Sequence, residues 1–314
     1  MRYGLLSGIL WGIDTVVLGI ALSMSPYIGT VEAIAFASIA SSFLHDLFCA
    51  AWLFVYMAVR RRLSDTLHAL RTRSGLVVIA GALLGGPIGM TGYVMAINNI
   101  GAAYTAIISA FYPAFGAFLS FVLLKEQMSK GQLTALAVGL LGIMAMGYIS
   151  AGSSEIGDPV IGLIGATLAV VGWGSEAVLC AWGMRDDAID NETALQIRET
   201  TSAIVYALIV LPVFGAWSFT LGAIPSIATG VVALSALAGA SSYLFYYKGI
   251  SKIGAARAMA LNVSYSAWAV AFGFILQGTV PSVTSVICCI IILAGTILAA
   301  CDWNELFGRR DRNE

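Results

Sequence analysis

Ten runs of mostly apolar residues follow one another along this chain, each close to the length of about 20 residues that crosses a bilayer as one helix. Hydrophobic residues make up 59% of the 314 residues and charged residues only 11%, so polar side chains are too few to cover a water-facing surface. We therefore predict an all-α integral membrane protein of ten transmembrane helices. The predicted spans are residues 3–25, 32–59, 75–98, 103–124, 131–150, 159–184, 193–217, 225–247, 255–277 and 281–301.

Lysine and arginine gather in every second predicted loop, whereas the alternate loops contain neither residue. Because positive charge is retained on the cytoplasmic side, this pattern predicts that both termini are cytoplasmic and that the chain is a multi-pass protein of the cell inner (plasma) membrane. A missed helix would break the alternation, and the alternation persists to the last span. The basic residues concerned are Arg2, Arg60, Arg61, Arg62, Arg71, Arg73, Lys125, Lys130, Arg185, Lys248, Lys252, Arg309, Arg310 and Arg312.

Two segments of the chain echo each other at an offset of 153 residues, since residues 93–103 read YVMAINNIGAA and residues 246–256 read YYKGISKIGAA. The repeat unit contains five spans, and because five is odd, the two halves must cross the membrane in opposite senses. We predict two inverted five-helix repeats at residues 1–150 and 151–302, followed by a cytoplasmic tail at 303–314. Secondary transporters with this arrangement bind substrate between their halves near the midplane.

Three sequence features carry a resemblance to a known superfamily. They are Trp-Gly pairs at 11–12 and 173–174, Ile-Gly-Ala-Ala segments at 100–103 and 253–256, and the stretch LKEQMS at 124–129 before a glycine-spaced fifth span. With them the chain resembles the drug/metabolite transporter (DMT) superfamily. Over nearly its whole length it is similar to the ten-helix EamA-type exporters, and most similar to the YddG-type amino-acid exporters. The resemblance implies a transporter that exports amino acids or related small metabolites.

Asp14 and Glu176 are carboxylates in matching positions of the first and sixth spans. An ionisable residue near the bilayer centre costs roughly 2.5–3.5 kcal/mol, so it calls for a partner, a wet cavity or a function. In inverted halves the two carboxylates should meet at one central cavity, where they would bind a substrate amine or carry a proton. The alternative is that each is hydrogen-bonded within the bundle and only fixes packing.

Arg198 is a basic residue well inside the seventh span. Its guanidinium could hold a substrate carboxylate by two parallel hydrogen bonds. The preferred alternative is that it pairs with Glu176, Glu192 or Glu199.

His45 and Asp46 form a second polar pair, in the second span. Histidine titrates near neutral pH, so the pair could relay protons. Adjacent residues on a helix point about 100° apart and need not meet each other, so we prefer hydrogen bonds to other helices as their role.

Aromatic and polar residues repeat between the halves close to the span centres, where the aromatic belts of membrane interfaces do not explain them. We predict that they line a cavity suited to a zwitterion with an apolar or aromatic side chain. Ordinary core packing is the alternative. The predicted substrate-binding or cavity-lining residues are Trp11, Asp14, Tyr93, Ser109, Tyr112, Trp173, Glu176, Arg198, Tyr246, Asn262 and Tyr265.

Glycine and proline mark positions where the third and fourth spans could bend. Gly86, Pro87 and Pro113 are predicted hinges for alternating access, because proline removes a backbone hydrogen bond and kinks a helix, although static kinks would leave the same signature. Small residues such as Gly139 and Gly295 in the fifth and tenth spans allow close helix approach. They fit packing within one bundle or against a second copy, so we expect a monomer or a weak homodimer.

Several classes of function lack their sequence signatures. The chain has no P-loop and no Gly-x-Ser-x-Gly motif, its five cysteines lack the spacing of a zinc site, and no block of charge suits nucleic acid. We therefore predict a transporter without catalytic residues, cofactor or metal, whose partners are the lipid bilayer and a small-molecule substrate. The leading hypothesis is export of neutral or aromatic amino acids. The alternative is proton-coupled export of lipophilic cations through Asp14 and Glu176, and a channel or an intramembrane hydrolase is a remote third.

Overall fold

The structure is a computed structural model that describes residues 1–149, 157–185, 189–301 and 303, and within them ten helices are long and apolar enough to cross a membrane. The described residues contain no strand, so the predicted all-α membrane fold of ten helices is confirmed. The predicted tail after residue 303 and residues 151–156 of one predicted loop lie outside the described residues. The ten helices, α1 to α10 in chain order, are Arg2–Leu22, Val31–Val59, Arg73–Gly101, Tyr104–Leu124, Lys130–Ile149, Pro159–Gly183, Asn191–Phe214, Ile227–Ile253, Ala255–Gln277 and Val283–Ala300.

The predicted ends of two helices are wrong by several residues. α8 was expected to end at residue 247 but continues to Ile253, because the chain leaves helical geometry only at Gly254, whose φ is 85° and ψ 162°. α7 ends at Phe214 rather than at residue 217, because Gly215 takes up the left-handed conformation (φ 67°) that commonly follows a helix. In both places a glycine with positive φ, rather than the loss of apolar residues, sets the boundary.

Side-chain caps fix the starts of most spanning helices. In each case a hydroxyl or carboxylate oxygen just before the helix accepts a hydrogen bond from a backbone N–H of the first turn, which has no partner within the helix. The capping residues are Thr30, Thr72, Ser129, Asp158, Asp190, Ser226 and Ser282.

Two short helices, Leu63–Ala69 and Trp217–Ala223, occupy segments expected to be loops. At seven residues each they are too short to leave an apolar run that a hydropathy pattern can recognise. The second is held in place by Trp217, whose indole N–H donates to the Ala207 carbonyl 3.1 Å away. Neither short helix changes the number of spans.

The main contacts between spanning helices are symmetric. Each of them has a counterpart between the helices that occupy the same places in the other half. α1 packs against α8 and α9, and α6 packs in the same way against α3 and α4, while α5 and α10 pack against each other. Small residues allow the closest of these contacts: a Cβ added to Gly295 would lie 2.5 Å from the Gly139 backbone nitrogen. Helices can approach this closely only where both backbones lack side-chain bulk.

Local backbone geometry also matches between the halves. Gly101 and Gly254 are separated by the predicted offset, and their φ and ψ are 78° and 159° against 85° and 162°. Lys125 and Gly278 end α4 and α9 in the same left-handed conformation. These matches support the predicted repeat, whose inverted orientation in the membrane stays a prediction.

All three predicted hinge residues lie at irregular places in their helices. Gly86 and Pro87 fall within a π-helical stretch of α3, Leu84–Met90. Pro113 follows an interruption of α4 at residues 110–111, in the first turn, where its missing N–H costs no hydrogen bond. α9 is interrupted at the equivalent residues 263–264 without any proline. The α4 break therefore belongs to the fold that both halves share, and a hinge motion stays a prediction.

Candidate functional site

A cavity of about 310 Å³ lies between the two halves of the bundle, where eight of the ten helices meet. Ten of the eleven residues predicted for the site line it. They are Trp11, Asp14, Tyr93, Tyr112, Trp173, Glu176, Arg198, Tyr246, Asn262 and Tyr265.

Ser109 is the predicted site residue that does not line the cavity. It is buried, and its hydroxyl donates 3.3 Å to the Ala106 carbonyl of its own helix. Its repeat mate Asn262 does line the cavity, but its amide already donates 3.1 Å to the Ser7 hydroxyl and accepts from the Tyr112 hydroxyl at 3.2 Å. The prediction for Ser109 is therefore wrong, because the break in α4 directs it into packing.

Asp14 is buried on α1 and is held by residues of two other helices. Its Oδ1 accepts from His45 Nε2 on α2 at 3.0 Å and from the Ser235 hydroxyl on α8. The other imidazole nitrogen, His45 Nδ1, lies 3.7 Å from Asp46 Oδ1 and 3.7 Å from Cys49 Sγ. His45 thus joins two helices, as we preferred, and its ring also lies between two carboxylates.

Glu176 is the corresponding buried carboxylate of α6 and forms an ion pair with Arg198 of α7, Oε1 to Nε, at 2.7 Å. Arg198 Nη1 lies 2.9 Å from Glu199 and 3.8 Å from Asp46, so one guanidinium forms ion pairs with three carboxylates. The predicted alternative of pairing within the bundle thus holds for Glu176 and Glu199. It is wrong for Glu192, whose side chain lies at the end of the bundle.

The two acid–base pairs occupy equivalent places in the two halves. In each half a carboxylate of the first helix bonds to a base of the second helix, Asp14 with His45 and Glu176 with Arg198. The sequence carries a signal that we did not use: at the offset of 153, His45 and Asp46 align with Arg198 and Glu199. The two pairs therefore differ chiefly in the base, which is an imidazole in the first half and a guanidinium in the second.

Aromatic rings form most of the remaining cavity wall. The Trp11 ring lies 4.6 Å from that of Tyr243 and 6.0 Å from that of Tyr265, and the Trp173 ring lies 5.1 Å from that of Tyr93. Two tyrosines that were not predicted, Tyr243 and Tyr247, also line the cavity beside Tyr246. Their spacing of three and four residues on one helix face was the available signal.

The cavity opens toward the end of the bundle where α1 finishes. Thr15 and Gly19 line it and are exposed, and a Cβ added to Gly19 would meet no described atom within 4 Å. Toward the other end, Cys49 and Leu53 follow His45 along α2 and are both buried. The structure is therefore open at one end of the bundle and closed at the other.

At the closed end, past Cys49 and Leu53, a set of charged residues joins the end of α2 to the start of α7. We call this set the closed-end ion cluster. Arg62 donates to Asp65 at 2.8 Å and to Asp190 and Glu192 at 2.6 Å each, and Arg60 donates to Glu192 at 2.6 Å. Burial alone would raise the pKa of Asp190, but hydrogen bonds from Thr193 and Arg62 outweigh it and hold the pKa below its ordinary value. The cluster consists of Arg60, Arg62, Asp65, Asp190 and Glu192.

Among the residues that the structure describes, no group of three or more histidine, cysteine, aspartate or glutamate side chains is arranged to hold a metal ion.

Comparisons with known proteins agree with this architecture. The sequence profile of the EamA-like transporter family matches residues 2–148 and again residues 160–301. Protein LicB of Haemophilus influenzae (strain ATCC 51907 / DSM 11121 / KW20 / Rd) is 31% identical over 216 residues, which are 69% of this chain and 72% of LicB. A solved structure described as a crystal structure of protein superposes with a TM-score of 0.72 over 98% of both chains at 19% identity, a likeness that shows the fold alone.

Proposed function

We propose, starting from the fact that this chain belongs to the EamA-like transporter family, that it carries small organic cations across the membrane through the cavity between its halves. The chain is a multi-pass membrane transporter and not an enzyme. The observation that carries the cation proposal is the balance of charge at the cavity. Carboxylates outnumber bases there, and aromatic rings form much of the wall.

The charge balance leaves a negative site for a substrate. Asp14, Asp46 and Glu176 line the cavity, and the one permanently positive side chain among its lining residues is Arg198. That guanidinium is already within 4 Å of three carboxylates, including the buried Glu199. A substrate with a positive charge would be compensated in such a cavity, whereas an added anion would meet uncompensated like charge.

The aromatic walls suit the same class of substrate. A cation over the face of a tryptophan or tyrosine ring gains about 0.5–2 kcal/mol, and several rings around one ammonium group are typical of sites for quaternary amines. Arg198 already uses one such face, because its guanidinium carbon lies 4.9 Å from the centre of the Tyr243 ring. The rings of Trp11, Tyr93, Trp173 and Tyr265 line the cavity as well.

Amino acids are the second candidate, because Arg198 faces the cavity. Its Nη1 lies 2.9 Å from Glu199 Oε2 without the alignment of a hydrogen bond, so that nitrogen has donor capacity for a substrate carboxylate. A zwitterion would place its carboxylate there and its amine near Asp14. This candidate ranks second because a substrate carboxylate would be repelled by the three protein carboxylates that already surround the guanidinium.

We also propose that transport proceeds by alternating access between two inverted halves, and that the protein lies in the cell inner (plasma) membrane, as the distribution of lysine and arginine over the loops predicts. The carboxylates that we assign to the substrate lie on equivalent helices, α1 and α6, and the packing of the halves is matched. Rocking of one half against the other would expose a site at their interface to each side in turn. Energy would then come from solute or proton gradients.

The test is flux into proteoliposomes that contain the purified protein. Labelled tetramethylammonium, a labelled primary amine and labelled phenylalanine are offered separately, and we expect the two cations to move faster than the amino acid. Asp14→Asn should lower cation flux at least tenfold, whereas Phe118→Ala, at an aromatic residue that is 63% exposed outside the cavity, should leave it within twofold. Flux of phenylalanine alone would favour the second candidate, and flux of none of the three would reject both.

A further inference from the structure

Asp14 and Glu176 bond to bases of different chemistry, His45 and Arg198. A histidine free in water titrates near neutral pH, whereas an arginine guanidinium stays charged at any physiological pH. The two halves place these pairs in equivalent positions. We propose that Asp14 is the counter-ion that receives the substrate cation, and that a proton on His45 competes with that cation. This inference rests on the proposed function.

The negative charge of Glu176 is already compensated by a permanent positive charge, that of Arg198. Its Oε1 accepts from Arg198 Nε at 2.7 Å and from the Tyr247 hydroxyl at 3.4 Å. A Cβ added to Gly85 would overlap the Glu176 carboxylate, so α3 closes over this side chain. A cation could use Glu176 only by displacing the guanidinium, which would leave a buried positive charge without its partner.

Asp14 is also buried, and it differs from Glu176 in the base that bonds to it. The hydrogen bonds described for its carboxylate, from His45 and Ser235, both fall on Oδ1. Its Oδ2 lies toward α8 at Gly239, where an added Cβ would be 3.0 Å away. While His45 is neutral, its Nε2–H orients the carboxylate and leaves the negative charge uncompensated.

A proton on His45 removes that advantage. The imidazolium would donate Nε2–H to Asp14 and direct Nδ1–H toward Asp46, whose Oδ1 is 3.7 Å away. One added proton would therefore compensate the negative charge of Asp14. The proton and the organic cation therefore compete for the same negative charge. When one cation binds, one proton leaves the imidazole for solvent, and the reverse step rebinds it.

Other charged groups around His45 do not alter the direction of this competition. α7 contributes Arg198, which already pairs with carboxylates, and the buried Glu199. α3 and α8 contribute glycine and serine residues near Asp14 and His45. The groups that face the His45 region are Asp14 from α1, Asp46 and Cys49 from α2, Gly86 from α3, Arg198, Glu199 and Ser202 from α7, and Ser235 and Gly239 from α8.

The experiment measures binding of labelled tetramethylammonium to purified protein from pH 5.5 to pH 8.5. Exchange of one proton for one cation predicts that affinity rises by up to about tenfold per pH unit below the pKa of the imidazole and then levels off. The chain has two histidines, so His68→Gln, at an exposed position in the short helix Leu63–Ala69, is the matched control and should follow the wild type. His45→Gln keeps an N–H donor for Asp14 and should bind with no pH dependence.

A second variant and a second measurement cover the case in which His45→Gln fails to fold. His45→Arg gives Asp14 the same kind of base that Glu176 has. It should weaken tetramethylammonium binding at least tenfold at every pH. Saturating wild-type protein with tetramethylammonium near pH 6.5 in weak buffer should release protons, counted with an indicator dye. Unchanged pH dependence in His45→Gln, full binding by His45→Arg, or binding without proton release would each overturn the inference. Absence of binding by the wild type at every pH would instead reject the proposed function.

Discussion

Arg62→Ala should open the end of the bundle that is closed in this structure. Arg62 joins the chain just after α2 to the start of α7 through Asp190 and Glu192, and it also bonds to Asp65. These contacts lie at the end opposite the mouth of the cavity. In a carrier that alternates between two openings, the closed-end ion cluster stabilises the present conformation only, because its partners must separate when that end opens.

The size of the effect follows from exposure. Asp190 is 41% exposed, so its pair with Arg62 contributes about 0.5 kcal/mol, whereas Asp65 lies three residues from Arg62 on the same segment and keeps its pair in both conformations. Glu192 is 17% exposed and bonds at 2.6 Å, so its pair contributes about 1 kcal/mol. The two pairs that must separate contribute about 1.5 kcal/mol, which corresponds to a change of about tenfold in the ratio of the two conformations.

The assay uses Cys49, which is fully buried on α2 between the cavity and the closed-end ion cluster. Purified protein is treated with a water-soluble maleimide, and peptide mass spectrometry follows labelling of Cys49 separately from the other cysteines. We expect labelling of Cys49 in Arg62→Ala to be roughly tenfold faster than in the wild type. Arg61→Ala removes the same charge from a neighbouring residue with no ion pair among the described residues, and it should stay within twofold of the wild type. Equal labelling of Cys49 in wild type and Arg62→Ala, with unchanged thermal unfolding, would refute the role assigned to the closed-end ion cluster.

Two further predictions concern stability. Gly295→Ala should lower the free energy of unfolding by about 1–3 kcal/mol, because its Cβ would lie 2.5 Å from the backbone of α5, which cannot move aside as a side chain can. Gly230→Ala, with no described atom within 4 Å, is the control in the same thermal unfolding assay. Equal stability of the two variants would contradict this packing. Asp190→Asn should destabilise the protein at pH 7 and by progressively less as the pH falls below about 4, because a carboxyl whose pKa is lowered by folding contributes its full stability above its unfolded pKa, near 4, and loses it as pH falls through its lower folded pKa. A difference in melting temperature between wild type and Asp190→Asn that stays constant from pH 6 to pH 3 would show that the carboxylate charge contributes nothing.

The number and type of helices could be predicted from the sequence because a bilayer imposes a length on every apolar run. Boundaries that depend on backbone conformation could not. Gly249 and Gly254 lie five residues apart near the end of α8, and only the second takes a positive φ and ends the helix. Which glycine does so depends on tertiary contacts, here with Glu126, whose carboxylate accepts from the backbone N–H groups of Ala255 and Ala256 at 3.1 and 3.2 Å.

Most of the candidate site could also be predicted, because buried ionisable and aromatic residues are rare enough in a membrane span to stand out. The pairing was predicted for Arg198, as one of three candidate acids, but not for Asp14, whose partners His45 and Ser235 come from other helices. Ser109 was predicted from its repeat mate, which lines the cavity, but its own hydroxyl, next to the helix break, bonds to the backbone of the preceding turn.

The matched halves explain why the cavity has two acid–base pairs, and the difference between the bases explains how such a cavity could release what it binds. If both carboxylates were paired with arginine, as Glu176 is, the site would keep one charge at every pH and would offer a cation no vacant counter-ion. If both were paired with histidine, binding could release two protons, and the ion pair between α6 and α7 would lose its permanent charge. We therefore expect the Glu176–Arg198 pair to hold α6 and α7 together at every pH, and the Asp14–His45 pair to exchange a proton for a substrate.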